Sequence, residues 1–312
     1  MQAVINLALP FFALIFTGFL AARGGLLGTT TVSGLNAFVF YFALPALLLI
    51  KTLEAPTPTG AVGAFMVSYY LPSMVVFGIA VWIGIRAFKL RLADASIQGL
   101  GTVFSNVGFI GLPLTILLYG SEAALPAVLI VMGDTIIMLG LATALVEADL
   151  GGGRKGLAFI GQILSGIIRN PIVTAGLIGV ALNLLGFSLP APVLNYGNLL
   201  ANAAGPCALF ALGATLAGRP IREGAGETAY LLMMKLFIHP ALVALLALWV
   251  FDLPPVWAAV AVLQAALPIA ANVYVLAQRY QRRPEAISTA IFFSTALGVI
   301  TISVLISWLY QA

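Results

Sequence analysis

Ser105-Asn106-Val107-Gly108-Phe109-Ile110-Gly111-Leu112-Pro113 in the first half of the chain and Gln264-Ala265-Ala266-Leu267-Pro268-Ile269-Ala270-Ala271-Asn272 in the second decide how this sequence is read. Each stretch interrupts a long apolar run with proline and asparagine, the first with glycine as well. A proline inside a helix removes one amide N–H and frees the carbonyl four residues earlier, here those of Phe109 and Gln264. Lipid cannot satisfy such groups, so interrupted backbone at membrane depth survives only inside protein or beside a wet cavity. Interruptions at corresponding places in two halves of a membrane chain point to the binding site of a carrier.

The surrounding composition is that of a membrane protein. Of 312 residues, 62% are hydrophobic and 8% charged, against roughly 25% charged in soluble domains. Apolar stretches of ~20 residues cross a bilayer. Ten are present, at approximately 4–22, 32–51, 61–85, 97–119, 123–146, 168–185, 193–217, 228–251, 255–277 and 286–309. The N-terminus has no basic n-region and no A-x-A-type cleavage site, so the first span is expected to be retained. The single Cys207 leaves no internal disulfide and no cysteine cluster for zinc or iron–sulfur chemistry. No cofactor and no resident metal are expected.

The net charge of +4 could serve a nucleic-acid partner, but its distribution excludes that reading. Arg23 follows the first span, Arg86, Lys89 and Arg91 the third, and Arg154, Lys155 and Arg169 the fifth. Arg219 and Arg222 follow the seventh, and Arg279, Arg282 and Arg283 the ninth. Twelve of the fourteen basic residues thus lie in odd-numbered loops, Lys51 and Lys235 being the others. By the positive-inside rule the odd loops are cytoplasmic and both termini face outward.

The halves also echo each other. Shifted by 161 residues, Pro10 falls on Pro171, Gly18 on Gly179 and Pro45 on Pro206. Five spans per repeat is an odd number, so the copies insert with opposite orientation. The expected fold is therefore an all-α membrane protein of ten transmembrane helices. It comprises two inverted five-helix repeats, 1–150 and 168–312, joined by a cytoplasmic linker at 151–167. Residues 157–164 of that linker have the pattern of an interfacial amphipathic helix.

Several segments together resemble the auxin efflux carrier family, which includes the plant PIN-type auxin exporters. They are Gly34-Leu35-Asn36-Ala37-Phe38-Val39 with Ala43-Leu44-Pro45, then Ser105-Asn106 with Gly111-Leu112-Pro113-Leu114. In the second half they are Arg169-Asn170-Pro171 with Gly176-Leu177-Ile178-Gly179, then Gly205-Pro206-Cys207-Ala208-Leu209-Phe210 with Gly213. Ala266-Leu267-Pro268 with Asn272 and Ala277-Gln278-Arg279-Tyr280 completes the set. The resemblance implies a fold akin to the bile-acid sodium symporters, with spans 1, 2, 6 and 7 as scaffold and the rest as a moving transport domain. It implies that spans 4 and 9 cross as broken helices at the site, and that the cargo is a small organic anion such as auxin or a dicarboxylate. The acid and base that the plant exporters carry in the third span are missing from residues 61–85.

The candidate substrate-binding residues are Asn106, Gly108, Gly111, Pro113, Gln264, Pro268 and Asn272. An asparagine amide can hold a carboxylate or tie off a freed carbonyl. Glycines at 108 and 111 let backbone bend and approach closely. Half-helix N-termini add free N–H groups and about half a positive charge each, which attracts an anion without a formal cation. Asn106 precedes its proline and Asn272 follows its own, which predicts an asymmetric site suited to a cargo with one anionic end.

Asp134 is the one carboxylate near the middle of a span. An acid there costs about 2.5–3.5 kcal/mol on insertion scales and is functional by default, which suits a proton carrier. His239 and Lys235 are the other coupling candidates. A lone histidine is more often a packed hydrogen-bonding residue, and Lys235 is close enough to one membrane face to snorkel; the alternatives for it are anion binding or pairing with Asp134. Ser105, Asn106, Thr135 and Gln264 could instead supply oxygens to sodium. In the bile-acid symporters the ninth-span part of the ion site includes a carboxylate, whereas Gln264 is neutral. Gln98, Tyr41, Asn202 and Ser294 are further polar span residues that could line the path.

Intramembrane enzyme chemistry finds no constellation: aspartyl catalysis needs a second buried carboxylate, and a metalloprotease needs a second histidine. The expected function is a secondary transporter of a small organic anion in a bacterial-type inner membrane, proton-coupled or uniport. Sodium symport is the alternative and an anion channel the more distant one. A homodimer is the partner state considered. Substrate identity and direction of flux are left open by the sequence.

Overall fold

The computed structural model describes residues 2–56, 61–151, 168–217 and 225–309. Among these all regular elements are helical and no strand is present. The helices are α1 (Gln2–Arg23), α2 (Thr29–Leu53), α3 (Val62–Arg86), α4 (Leu92–Val103), α5 (107–119) and α6 (124–150). They continue with α7 (Pro171–Leu184), α8 (Ala191–Ala217), α9 (Gly226–Val250), α10 (Pro255–Ala266), α11 (Ala271–Arg279) and α12 (Pro284–Leu309). Six stretches are long and apolar enough to cross a membrane: α2, α3, α8, α9, α12 and the run Val107–Leu150 that contains α5 and α6. The linker residues 152–167, with the expected interfacial helix at 157–164, lie outside the described residues. So do Arg154, Lys155, Arg219 and Arg222.

Local sequence explains the joints. Gly120, between α5 and α6, takes φ +65°, a conformation that side-chain-bearing residues resist. Asn170 caps α7, its Oδ1 accepting from the Ile172 and Val173 N–H groups at 3.0 and 3.4 Å, and Pro171 follows where a missing N–H is harmless. Within α2, α5 and α9 the helix widens to i→i+5 turns at Val39–Ala43, Val107–Gly111 and Met234–Ile238. Pro45, Pro113 and Pro240 each come two residues after such a turn. A wide turn absorbs both the lost proline N–H and the clash with the preceding carbonyl, so these prolines sit in continuous helix.

Packing rests on small residues. α1 lies against α8 and α7 against α2. A Cβ on Gly18 would fall 2.0 Å from the Phe210 carbonyl oxygen, and one on Gly213 would fall 1.8 Å from that of Ile15. On the other pair, a Cβ on Gly179 would fall 2.0 Å from Thr52 Oγ1 and 2.6 Å from the Leu49 carbonyl oxygen. Gly18 and Gly179, matched by the 161-residue shift, are thus both points of backbone-to-backbone approach. In lipid, where burial against oil gains nothing, such close approach is what holds helices together. The remaining helices form a second group: α3 packs on α4, α4 on α6, α9 on α10, and α12 on α9, α10 and α11.

Candidate functional site

The two interrupted stretches meet. Between α4 and α5 the chain is extended at Phe104–Asn106, and between α10 and α11 at Leu267–Ala270. They pair as a short antiparallel bridge centred on Ser105 and Ile269. The Asn106 N–H donates to the Pro268 carbonyl at 2.9 Å and the Ala270 N–H to the Phe104 carbonyl at 3.1 Å. Each break thus satisfies the other's backbone, which solves the problem that lipid poses for unpaired amides.

This pairing revises the register read from the sequence. Pro268 lies in its break, but Pro113 lies beyond the other one, inside α5, because the wide turn at Val107–Gly111 accommodates it. The bridge matches Ser105 with Ile269, so Asn106 corresponds to Ala270 and Gly108 to Asn272. Pro113 reaches α8 instead: a Cβ on Gly205 would sit 3.5 Å from its Cβ.

Asn106 is buried and caps α5, accepting from the Phe109 N–H at 3.4 Å. Asn272 is exposed in the first turn of α11. The antiparallel pairing sets the start of α5 beside the end of α10, and the start of α11 beside the end of α4. Asn106 and Asn272 therefore follow the bridge at its opposite ends. Among the described residues, the N–H groups of Gly108, Ala271 and Asn272 have no protein acceptor. A Cβ on Gly108 would meet nothing within 4 Å, so open space adjoins the start of α5.

Gln264 crosses from α10 to α5, where its Nε2 donates to Thr115 Oγ1 at 3.4 Å and its buried Oε1 has no partner. It lies tight against Gly111, on which a Cβ would fall 1.9 Å from Oε1. Close approach therefore holds at Gly111 and not at Gly108.

Lys235 does not snorkel. It is fully buried, and its Nζ donates to Ser105 Oγ at 2.7 Å and to the Ala265 carbonyl at 2.5 Å. Those two acceptors outcompete the interface because they leave no bare ammonium in the protein interior. Asp134 is also buried, at the start of a wide turn in α6. The Tyr70 hydroxyl donates to the Ile130 carbonyl at 2.8 Å and lies 3.3 Å from Asp134 Oδ1, and Oδ2 has no partner. Asp134 and Lys235 act on each other's charge without the contact of an ion pair. His239, buried one turn beyond Lys235, faces Ser73 Oγ at 2.9 Å through Nε2. The Ser73 hydroxyl also reaches the Tyr69 carbonyl at 2.7 Å.

The Thr135 hydroxyl donates within its own helix, to the Val131 carbonyl at 2.9 Å. Ser294 anchors the second break by accepting from the Ile269 N–H at 3.1 Å. Sequence reading missed Tyr69, Tyr70, Ser73 and Thr115. The signal available for the first three was the run of polar-tipped residues before and after Pro72 in an otherwise apolar span.

Among the described residues the architecture is that of an all-helical membrane protein whose two interrupted spans join around buried polar groups. The family described as "Membrane transport protein" matches residues 3–155 and 155–306. The chain belongs to that family, the auxin efflux carriers, and is a transporter rather than an enzyme. A "Putative malonate transporter" of Rhizobium meliloti (strain 1021) is 34% identical over 303 residues, 97% of this chain and 95% of the relative. The "Uncharacterized transporter YfdV" of Escherichia coli (strain K12) is 25% identical over 305 residues, again 97% and 95% of the two chains. "Auxin efflux carrier component 1" of Arabidopsis thaliana is 32% identical over 139 residues, 43% of this chain and 22% of the relative.

Proposed function

We propose that this chain is a secondary transporter that carries a small organic anion, a dicarboxylate of the malonate class, across an inner membrane by alternating access. The observation that carries this reading is the paired break, with free N–H groups at Gly108, Ala271 and Asn272 and open space beside it. Two half-helix N-termini together offer on the order of one positive charge as partial charges, enough to attract a carboxylate at modest affinity. Asn272 is exposed at the start of a half-helix; lipid would leave its amide unsolvated, which favours a water-filled cleft there. The printed name of the Rhizobium relative fits a carboxylate of this size.

The reading includes ten spans with both termini outward. Val107–Leu150 has 44 residues; at 1.5 Å each that is about twice the ~30 Å hydrocarbon core. With its joint at Gly120 it serves as the second part of span 4 plus span 5. α1 and α7, with the composites α4–α5 and α10–α11, complete the count. Support for inversion comes from the exchanged pairings, α1 with α8 and α7 with α2. Those four helices form the scaffold, and the group holding the paired breaks moves against it.

For the energy source, Asp134 has the best-placed atom: its unpartnered Oδ2 is where a transported proton would reside. The sodium set has less support, because Lys235 already occupies Ser105 and Thr135 bonds within its own helix. Counterflow in proteoliposomes tests the whole. Preloaded unlabelled malonate should accelerate entry of labelled malonate, whereas a pore gives no acceleration. Asn106→Ala and Asn272→Ala variants that both transport as wild type would end the site assignment.

A further inference from the structure

A helix C-terminus ends in carbonyls without intrahelical partners and carries partial negative charge. In carriers built from broken helices, such ends and the unwound backbone beside them hold the coupling cation. Here α10 ends at Ala266, and the carbonyl of Ala265 in its last turn receives Lys235 Nζ at 2.5 Å. The same Nζ donates to Ser105 Oγ, at the centre of the other break, at 2.7 Å. One ammonium thus joins both breaks from a third helix, α9. It is fully buried, with the Asp134 carboxylate within electrostatic reach and the His239 ring one turn along.

We propose, building on the transporter reading above, that Lys235 is a tethered counter-ion. Its ammonium fills the oxygen nest of Ser105 Oγ and the Ala265 carbonyl that a free monovalent cation would otherwise take, so transport needs none. The aliphatic stem keeps that charge with the paired breaks in both access states, where a free ion would have to bind and leave in each cycle. Lys235 acts on the cargo only through the breaks it holds together, which makes it a positioning residue. Removing the side chain beyond Cβ opens the nest, with Asp134 nearby to balance charge, to sodium or a small alkylammonium ion.

Purified wild type and Lys235→Ala are melted in sodium, potassium, choline and methylammonium chloride at matched ionic strength, with no organic anion present. Wild type should melt at one temperature in all four salts. Lys235→Ala should melt roughly 5–10 °C lower in choline and regain half or more of that loss in sodium or methylammonium. A residue that merely fills space predicts no such salt selectivity. Lys235→Ala indifferent to the cation, or wild type stabilised specifically by sodium, overturns the proposal. If Lys235→Ala does not fold, counterflow by wild type decides. Rates equal in sodium-free choline and in sodium support the tethered ion, and a tenfold loss without sodium overturns it. The melting readout contains no cargo, so a chain that fails to carry malonate would still answer this question separately.

Discussion

Gly111→Ala tests the contact on which the candidate site is assembled. A methyl at this position would sit 1.9 Å from Gln264 Oε1, 2.7 Å from Gln264 Cδ and 2.7 Å from Leu267 Cδ1. Ordinary heavy-atom contact lies near 3.5–4.0 Å, so the Gln264 amide must retreat by about 1.5 Å. Retreat breaks its hydrogen bond to Thr115 and presses on Leu267, in the extended break. Overpacking of this kind costs about 1–3 kcal/mol, and at about 2–4 °C per kcal/mol the melting temperature should fall by roughly 2–12 °C. The closest approach is to Gln264, which makes that part of the cost separable from the 2.7 Å contact with Leu267 Cδ1. Gln264→Ala alone loses a long hydrogen bond and some packing, and in that background the Gly111→Ala methyl occupies vacated volume. The two changes should therefore be non-additive by at least ~1 kcal/mol, within the range for residues in contact. The assay is thermal unfolding of the four purified proteins in one detergent. Additivity within ~0.5 kcal/mol would show that α5 and α10 do not meet at this point, and the site's construction would be wrong.

Other perturbations separate function from packing. Asn272→Ala removes an exposed amide with no protein partner, so stability should hold within ~0.5 kcal/mol. Loss of one hydrogen bond to a charged cargo should raise the half-saturating malonate concentration about tenfold in uptake assays. Asn106→Ala deletes a helix cap as well, and should cost about 0.5–2 kcal/mol of stability by calorimetry in addition to transport. Gly213→Ala forces a methyl to 1.8 Å from the Ile15 carbonyl oxygen, backbone that cannot rotate aside; it should lower the melting temperature more than Gly111→Ala. Gly78→Ala, in α3 with nothing within 4 Å, should be neutral or stabilising by up to ~1 kcal/mol. Asp134→Asn should abolish stimulation of uptake by an imposed pH gradient while sparing counterflow; retained stimulation would remove Asp134 from the proton path.

What the sequence exposes is periodicity and punctuation; what it hides is which partner each freed group finds. Composition alone identifies a membrane chain, and Pro268 with its apolar flanks marks a real break. Pro113 misleads because a proline's effect depends on the turn before it. After the wide turn at Val107–Gly111 the same residue is housed in continuous helix, and the break falls at Phe104–Asn106 instead. The same spacing of wide turn and proline recurs before Pro45 and Pro240, so the proline marks the wide turn, and where the chain then opens is set by the pairing with the other break. Lys235 is hidden for the same reason. Near the end of an apolar span, a lysine with free choice reaches for water. It stays inside because Ser105 and Ala265, distant by 130 and 30 residues, present oxygens where its Nζ ends. The bridge between Ser105 and Ile269 matches Asn106 with Ala270 and Gly108 with Asn272, so the side chains at the two breaks stay unequal while both half-helix starts carry N–H groups without a protein acceptor. In the proposed reading, N–H groups free at both half-helix starts favour a cargo with two anionic ends over one. Monocarboxylates should accordingly compete for uptake about tenfold less well than malonate, the worth of one charge-assisted hydrogen bond; equal competition by acetate would return the site to a single-carboxylate reading.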